Sequence, residues 1–361
     1  MKMQLINNVN YNSQLIVLGR ESRTISQSEL AKKLGFSQGK LSKIENGLIA
    51  ITQEELDKIS NALNYPNKFF QRDEKIYGVG ISEFFHRKKQ AVPQRKLSTV
   101  YARLELRRME IQTLLKSVEL DEPALFHIDP EQYDNDIEKI AQITRASLRI
   151  PNGPIRNVVD ILEDAGAIVI PFDFEGANID AICLNNPGVP PLIFTNYDRT
   201  MDRIRFTLCH ELGHIIMHRK PPSENIDIEN QADRFASEFL IPTKEIAHSL
   251  TGINLPKLAA LKPYWRVSMN ALLKKAIDLN KITERQSRYL WTQMSKAGYR
   301  TREPIELDLP FEKPSVIEEI LEVHHVDLNY STDDLSTATF LNKLEFKEIY
   351  SLNKPRIRLV K

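Results

Sequence analysis

The chain has 361 residues, which is long enough for two to four domains with hydrophobic cores of their own. Its 49 Lys and Arg balance 48 Asp and Glu, so the net charge of +1 hides any local asymmetry. Two cysteines, Cys183 and Cys209, exclude a disulfide framework, and there is neither a signal peptide nor an apolar run of membrane-spanning length. We therefore expect a cytoplasmic protein with no membrane partner.

Residues 27–46 have the spacing of a helix-turn-helix. The inward positions of two short helices are apolar or small, namely Leu30, Ala31, Leu34, Leu41 and Ile44. Gly35 permits the turn between the helices, and Ser37 is a suitable N-cap for the second one. This helix leaves Gln38, Gly39, Lys40, Ser42 and Lys43 outward, near the end that would enter a major groove. Gln and Lys can read base edges, and Lys and Ser can hold phosphates.

The run ending Lys43-Ile-Glu-Asn46-Gly47, with Gln27 opening the first helix, resembles the XRE (Cro-like) repressor family over roughly residues 10–70. The resemblance implies flanking helices at about 13–20, 53–63 and 66–71. It makes Gln27 and Asn46 backbone-anchoring residues and double-stranded operator DNA the partner. Because the segment is only mildly basic, we expect a homodimer that binds two half-sites. The alternative is a helical protein-interaction module that shares the fold.

A basic stretch follows. From Phe84 to Arg108 there are eight Lys and Arg against one acid, Glu105, and a long helix is predicted from about Gln94 to Lys116. Two interpretations are open. The stretch adds phosphate contacts beside the DNA-binding domain, or it is the solvated face of a connector.

His210-Glu211-Leu212-Gly213-His214 is an HExxH motif in a helix predicted from about Thr200 to Met217. Two His four positions apart lie about 40° apart around a helix and roughly 6 Å apart along it, so both imidazoles can reach one metal ion. Glu211, on the flank of that face, is the candidate general base of a zinc-dependent hydrolase. The alternative is an accidental pentapeptide in a buried helix.

A second amphipathic helix is predicted from Ile228 to Pro242, with Glu229, Ala232, Asp233, Ala236 and Leu240 on one stripe. The small alanines let it approach the first helix closely, so Glu229 is the predicted third ligand. Asp233 is placed to accept the second N–H of a ligand His. The alternative for both acids is a solvent-facing charge, which is the prediction for Glu238.

The remaining candidates near the motif are less defined. His218 shares the face of the two motif His but lies about 12 Å along the helix from His210, too far to share one ion. His218 and Tyr197 are candidates for a substrate or oxyanion contact. Cys209 points about 100° away from His210 and is predicted to be buried. The strand at 191–195 offers an edge with which an extended substrate can pair.

Between about 150 and 300, the run Arg203 to His218 followed by Glu229-x-x-Ala232-Asp-x-Phe235-Ala236 resembles the ImmA/IrrE family of metallopeptidases. The resemblance implies cleavage of one specific transcriptional repressor, with His210, His214 and Glu229 as zinc ligands and Glu211 as the catalytic base. The chain is also similar to other zinc proteases with a Glu-x-x-x-Asp helix after HExxH, which supports the paired roles of Glu229 and Asp233. Mixed His and carboxylate ligands favour zinc and leave manganese open.

The rest of the chain completes a multidomain fold that is mainly α with α+β parts. We expect a small sheet from strands at 167–170, 181–184 and 191–195. Helices are predicted near 134–148, 155–165, 243–250, 255–262, 268–279 and 283–297. Residues 303–348 carry twelve acids against three Lys, so this acidic part is expected to contact protein. It is predicted to be α/β, with strands at 305–309, 323–328 and 356–360 and helices at 314–322 and 340–348.

Four domains follow from this pattern. They are an all-α helix-turn-helix bundle at 1–72, a basic helical connector at 73–133, a metallopeptidase domain with a small sheet at 134–301, and a small acidic α/β domain at 302–361. The leading hypothesis is a DNA-binding regulator with zinc-dependent endopeptidase activity that cleaves a specific repressor or partner protein, the chain itself included. The alternative is a non-catalytic repressor or antitoxin that uses the zinc-protease fold as a sensor or protein-binding platform. A broad degradative protease is disfavoured by the DNA-binding segment.

Overall fold

The structure, a computed structural model, describes residues 8–77, 93–218 and 226–350. They fall into two units. The first unit comprises Met1–Glu119, Phe174–Asn178 and Ile317–Lys361, and the second comprises Leu120–Asp173 and Ile179–Val316. Within the described ranges, no helix has the length and apolar character that crossing a membrane requires. The four predicted domain boundaries stay a prediction.

The first unit is built around the helix-turn-helix. Its first helices are α1 (Ser13–Ser22), α2 (Gln27–Leu34), α3 (Gln38–Glu45), α4 (Gln53–Leu63) and α5 (Asn67–Phe70). Strands β1 (Asn8–Val9) and β2 (Ile51–Thr52) pair antiparallel. Ser26 and Glu29 form a capping box at the start of α2, and Ser37 accepts the N–H of Lys40 at the start of α3. Gly35, with φ of 68°, makes the turn, and the five predicted inward residues are buried. These local predictions are confirmed.

Helix α6 (Gln94–Leu115) packs against α1, with Ala102, Leu106 and Met109 in the core of the first unit. Arg108 on α6 is fully buried and lies 2.9 Å from Glu105. This end of the basic stretch is therefore internal, and for Arg108 both the phosphate-contact and the solvated-face interpretations are wrong. Residues 84–92 of the stretch lie outside the described residues.

All the regular secondary structure in the described range of the acidic C-terminal part is helical. This part contains a 3₁₀ turn at Ile305–Leu307 and helices α15 (Val316–Val326), α16 (Thr332–Ala338) and α17 (Lys343–Tyr350). The strands predicted at 305–309 and 323–328 are wrong, and the one at 356–360 lies outside the described residues. The error at 323–328 has a clear cause, because the buried side chains follow helical spacing: Ile317, Ile320, Leu321 and His324.

Part of this C-terminal segment completes the first unit. Both guanidinium N–H groups of Arg23 donate to Glu345, at 2.7 and 3.0 Å, and the hydroxyl of Tyr350 donates to Glu110 at 2.9 Å. Phe340 lies 6.5 Å from Phe69, ring centre to ring centre. The end of the acidic part thus packs within the helix-turn-helix unit of its own chain, and its contact with another protein stays a prediction.

The second unit contains a three-stranded sheet of β3 (Ile168–Pro171), β4 (Ala181–Leu184) and β5 (Leu192–Thr195) in the order β3-β5-β4. Strand β5 is parallel to β3, antiparallel to β4 and buried along its length. The three strands are confirmed. The predicted substrate edge on 191–195 is wrong, because β5 is the central strand and both its edges are paired; the sheet ends at β3 and β4.

Helices cover this sheet and build the larger core. They are α7 (Ile137–Ser147), α8 (Val158–Asp164), α9 (Met201–Met217), α10 (Ile228–Leu240), α11 (Thr243–Ile246), α12 (Leu255–Trp265), α13 (Met269–Asp278) and α14 (Glu284–Lys296). Helices α9 and α10 pack closely at Gly213. A Cβ added there would lie 3.1–3.3 Å from the side chain of Phe235. The predicted close approach of the two helices is confirmed, and it depends on this glycine as well as on Ala232 and Ala236.

Buried ion pairs join α9 and α10 to the surrounding chain. Arg205 on α9 is fully buried and pairs with Glu312, while Lys262 pairs with Asp202 and Glu303. Glu238 on α10, predicted to be solvated, is 0% exposed. It lies 2.7 Å from the Nζ of Lys275, so the prediction of a solvated face residue is wrong: the charge is buried against a partner from α13.

Candidate metal centre and DNA-binding face

Helix α9 begins after Thr200 and carries His210, Glu211 and His214 on two successive turns. The Nε2 atoms of His210 and His214 lie 3.0 Å apart, and the rings are edge to face. The four-residue spacing therefore does bring both imidazoles to one point. Cys209 is fully buried on the other side of the helix, as predicted.

Helix α10 supplies the third donor. Glu229, in its first turn, places Oε1 3.3 Å from Nε2 of His214 and Oε2 3.9 Å from Nε2 of His210. One donor atom from each of the three residues lies within 4.8 Å of the others. Because Asp227 caps α10 and Gly213 lets α10 approach α9, the first turn of α10 meets the two His.

This donor set fits a divalent cation. Bonds of about 2.0–2.1 Å in a tetrahedral arrangement separate neighbouring donor atoms by roughly 3.3 Å, close to the distances observed between the three residues. The other ring nitrogen of each His is already hydrogen-bonded elsewhere, to Asp233 and to His218. The Nε2 atoms are therefore the nitrogens available to a metal ion.

Asp233 lies where the helical stripe predicts. Its Oδ1 accepts a hydrogen bond of 2.9 Å from Nδ1 of His210. Burial opposes protonation of His210 most strongly, but the hydrogen bond to Asp233 and the negative charges of Glu211, Asp233 and Glu229 outweigh it, and the pKa of His210 is raised. Carboxylates therefore surround this imidazole with a field that also favours a bound cation.

Glu211 is 6% exposed, and its Oε2 has no hydrogen-bond partner among the residues that the structure describes. A buried carboxylate oxygen without a donor is costly unless a water molecule, a substrate group or an ion completes it. Burial and, after it, the charge of Glu211 raise the pKa of Cys183, on strand β4, well above its ordinary value. Glu211 therefore lies within electrostatic range of the β4 edge of the sheet.

The outward face of α3 is polar and accessible. Ser37, Gln38, Gly39, Lys43 and Asn46 are exposed. Lys40 and Ser42 are half-buried: Lys40 pairs with Glu55 and lies over the ring of Phe36, and Ser42 accepts hydrogen bonds from Asn46. Five of the predicted DNA-contact residues of this segment are thus accessible, and Lys40 is held by its ion pair with Glu55.

Glu45 holds α3 against the two preceding helices. Arg20 donates to both of its carboxylate oxygens, at 2.6 and 3.3 Å, and Nε2 of Gln27 donates to it at 2.9 Å. Glu45 is 8% exposed, so these are partly desolvated, charge-assisted hydrogen bonds. The side-chain amide of Gln27 thus helps to position α3, and its contact with a DNA backbone stays a prediction.

Two regions of the chain match known families. Residues 162–276 match the IrrE N-terminal-like domain, and residues 18–66 match a helix-turn-helix family. The chain thus joins a region similar to a helix-turn-helix family to a region similar to the IrrE N-terminal-like domain, and these two regions take those names below. The predicted fusion of a DNA-binding regulator with a metallopeptidase-like domain is confirmed at this level. No curated protein matches the chain.

Within the IrrE N-terminal-like domain, the two candidate oxyanion residues have other partners. His218 uses both ring nitrogens, with Nδ1 2.8 Å from Nδ1 of His214 and Nε2 2.9 Å from Oε1 of Gln231. Burial and then the neighbouring His214 lower the pKa of His218 to about 4. The hydroxyl of Tyr197 is directed to the main-chain oxygen of Glu312 at 3.4 Å. Neither arrangement supports an oxyanion contact.

Sequence reasoning missed two groups. One is Glu45 with Arg20 in the helix-turn-helix domain, where only the unusual acid on the inward side of α3 gave a signal. The other is Gln231 in the IrrE N-terminal-like domain. His218 follows His214 by one helical turn, so the sequence placed it on the right face, but its partner on α10 depends on how the two helices pack.

Proposed function

We propose that the chain is a transcriptional regulator with zinc-dependent endopeptidase activity that cleaves a specific repressor or partner protein, itself included. One observation carries the proposal. Oε2 of Glu211 is buried without a hydrogen-bond partner among the described residues, and Glu211 directly follows His210, one of three side chains whose donor atoms converge. A purely structural metal site has no need of a desolvated carboxylate beside its ligands.

His210, His214 and Glu229 are the proposed ligands, and Asp233 orients His210. A divalent cation bound there supplies a Lewis acid for the scissile carbonyl and for the attacking water. Glu211 takes the proton of that water and passes it to the leaving amine. Zinc suits the mixed donors, and manganese is the second candidate.

The substrate backbone is proposed to pair with β4, since β4 is an edge strand that packs against α9, the helix that carries Glu211. An extended peptide added to a sheet edge gains main-chain hydrogen bonds, and side-chain pockets then select its sequence. Such selection is expected of a peptidase with one regulatory target, so its activity on generic peptides should be low.

The helix-turn-helix domain brings this centre to operator DNA. Gln38, Gly39 and Lys43 are the proposed base and phosphate contacts, supported at the border of the face by Ser37, Lys40, Ser42 and Asn46. Gln27 contributes by positioning α3. We propose a homodimer, because a single mildly basic domain binds DNA weakly and paired half-sites multiply affinity.

The test compares the zinc-loaded wild-type chain with Glu211→Gln and with the control Glu284→Gln, which changes an exposed acid of α14. Each of the three proteins is incubated alone and together with the proteins that remain bound to the Glu211→Gln variant. Fragments are then identified by mass spectrometry. We expect fragments from the wild type and the control only, with equal zinc content in all three. Undiminished cleavage by Glu211→Gln overturns the assigned base. If the zinc-loaded wild type cleaves nothing although repression is intact, the result favours the alternative in which the zinc-protease fold is a protein-binding platform.

A further inference from the structure

A chain of hydrogen bonds leads from the candidate metal centre to the surface of the second unit. Nδ1 of His214 lies 2.8 Å from Nδ1 of His218, and Nε2 of His218 lies 2.9 Å from Oε1 of Gln231. Nε2 of Gln231 donates to Oδ1 of Asn135 at 3.3 Å. His218 itself is fixed at the end of α9, where its main-chain N–H donates to the carbonyl of His214.

The two amide groups determine where each proton lies. In the structure, Gln231 presents its NH₂ to Oδ1 of Asn135, which can only accept, and its oxygen to Nε2 of His218. That oxygen can only accept as well, so neutral His218 carries its proton on Nε2 and accepts on Nδ1. His214 must then donate from Nδ1. Its Nε2 is left with a lone pair, and this is the atom that faces His210 and Glu229.

Turning the amide of Gln231 would break its hydrogen bond to Asn135 and reverse the two bonds that link Gln231, His218 and His214. His218 would donate from Nδ1, His214 would accept on Nδ1, and the proton of His214 would occupy Nε2, where a metal ion must bind. The amide orientation therefore decides whether His214 is ready to act as a ligand or must first exchange a proton.

We propose that His218 and Gln231 are positioning residues that fix the tautomer of His214 and so set the affinity of the centre for its divalent cation. They do for His214 what Asp233 does for His210, but with two neutral groups in place of a carboxylate. Hydrogen-bond partners of metal-bound His typically change metal affinity by about 10–100-fold. The inference rests on the proposed function in one respect, namely that a metal ion binds at this centre.

Zinc dissociation constants of the full chain, measured by competition with a fluorescent chelator, test the proposal. His218→Phe and Gln231→Met, which remove the acceptors, should weaken zinc binding about 10–100-fold. His218→Asn and Gln231→Glu, which keep an acceptor in place, should remain within a few-fold of the wild type. Asn230→Ala, an exposed neighbour on α10, is the matched control and should bind zinc like the wild type.

A second measurement needs no metal. ¹⁵N shifts of the His214 ring in the metal-free chain should show a protonated Nδ1 and an unprotonated Nε2, with mixed tautomers in Gln231→Met. A merely structural role would leave these shifts unchanged. Equal zinc affinity in the wild type and both acceptor-removing variants overturns the inference. If the wild type does not bind zinc, the proposed function fails, whereas the ring shifts still decide the tautomer; if His218→Phe does not fold, Gln231→Met gives the result.

Discussion

Replacing Glu238 by Ala should destabilise the second unit strongly. The carboxylate of Glu238 is fully buried and receives hydrogen bonds from Lys275 at 2.7 Å, from the hydroxyl of Thr243 at 2.6 Å and from Gln142 at 3.0 Å. It also accepts the main-chain N–H of Thr243 and so caps α11. The substitution leaves the ammonium group of Lys275, which is 6% exposed, without its counter-charge.

Breaking a buried ion pair by removing one partner typically costs about 3–5 kcal/mol of unfolding free energy. For a unit of this size each kcal/mol lowers Tm by roughly 2–4 °C, so Glu238→Ala should melt about 6–20 °C below the wild type. The double variant Glu238→Leu with Lys275→Met removes both charges together, and its melting temperature should lie much closer to that of the wild type.

Differential scanning calorimetry of the full chain measures these shifts. The matched control is Glu284→Ala, which removes an ion pair with Arg288 on α14 whose side chains are 84% and 74% exposed. An exposed pair contributes about 0–1 kcal/mol, so the control should melt near the wild type. If the transition of Glu238→Ala lay as close to the wild type as that of the control, the argument from buried charge would be refuted.

Three further predictions concern the two helices and the DNA-binding face. Gly213→Ala should lower the free energy of unfolding, because overpacking costs about 1–3 kcal/mol and the gain in helix propensity is at most about 1 kcal/mol. Urea unfolding measures the difference between these two effects. An unchanged urea midpoint would contradict the close approach of the two helices. Lys43→Ala should weaken DNA binding and reduce the slope of log K against log salt by about 1, whereas Lys58→Ala, on α4, should change neither in filter-binding titrations. Burial opposes ionisation of Asp202, but hydrogen bonds, first that from Lys262, lower its pKa below the ordinary value. The ionised Asp202 therefore stabilises the fold above about pH 4, and this contribution is lost as the pH falls further. Asp202→Asn should lose less stability than the wild type between about pH 5 and pH 3. If the unfolding free energies of the two proteins fell in parallel over this range, the pairing of Asp202 with Lys262 would be contradicted.

The candidate metal centre was predictable because helical spacing alone determines most of its geometry. The positions of His210 and His214 follow from a four-residue interval, and Glu229 and Asp233 lie one turn apart on a stripe of small residues. By contrast, Gln231 is one of several polar residues on α10, and only the packed structure shows which of them meets His218.

The failed predictions have physical causes of the same kind. Glu238 is a charged residue in an amphipathic helix, and its burial depends on Lys275, which is distant in sequence. The strand at 191–195 was recognised from its apolar run, but a local pattern does not contain the order of strands in a sheet. At 323–328 the β-branched residues favoured a strand, although the spacing of Ile320 and His324 continues the helix.

The first unit is built from segments that are far apart in the sequence, because the C-terminal helices pack within it. Arg23 and Glu110 are translated before the second unit, but their partners Glu345 and Tyr350 are translated only after it. Domains generally fold as units while translation proceeds. The second unit, which holds the candidate metal centre, can thus form on a nascent polypeptide whose helix-turn-helix unit still lacks its C-terminal helices.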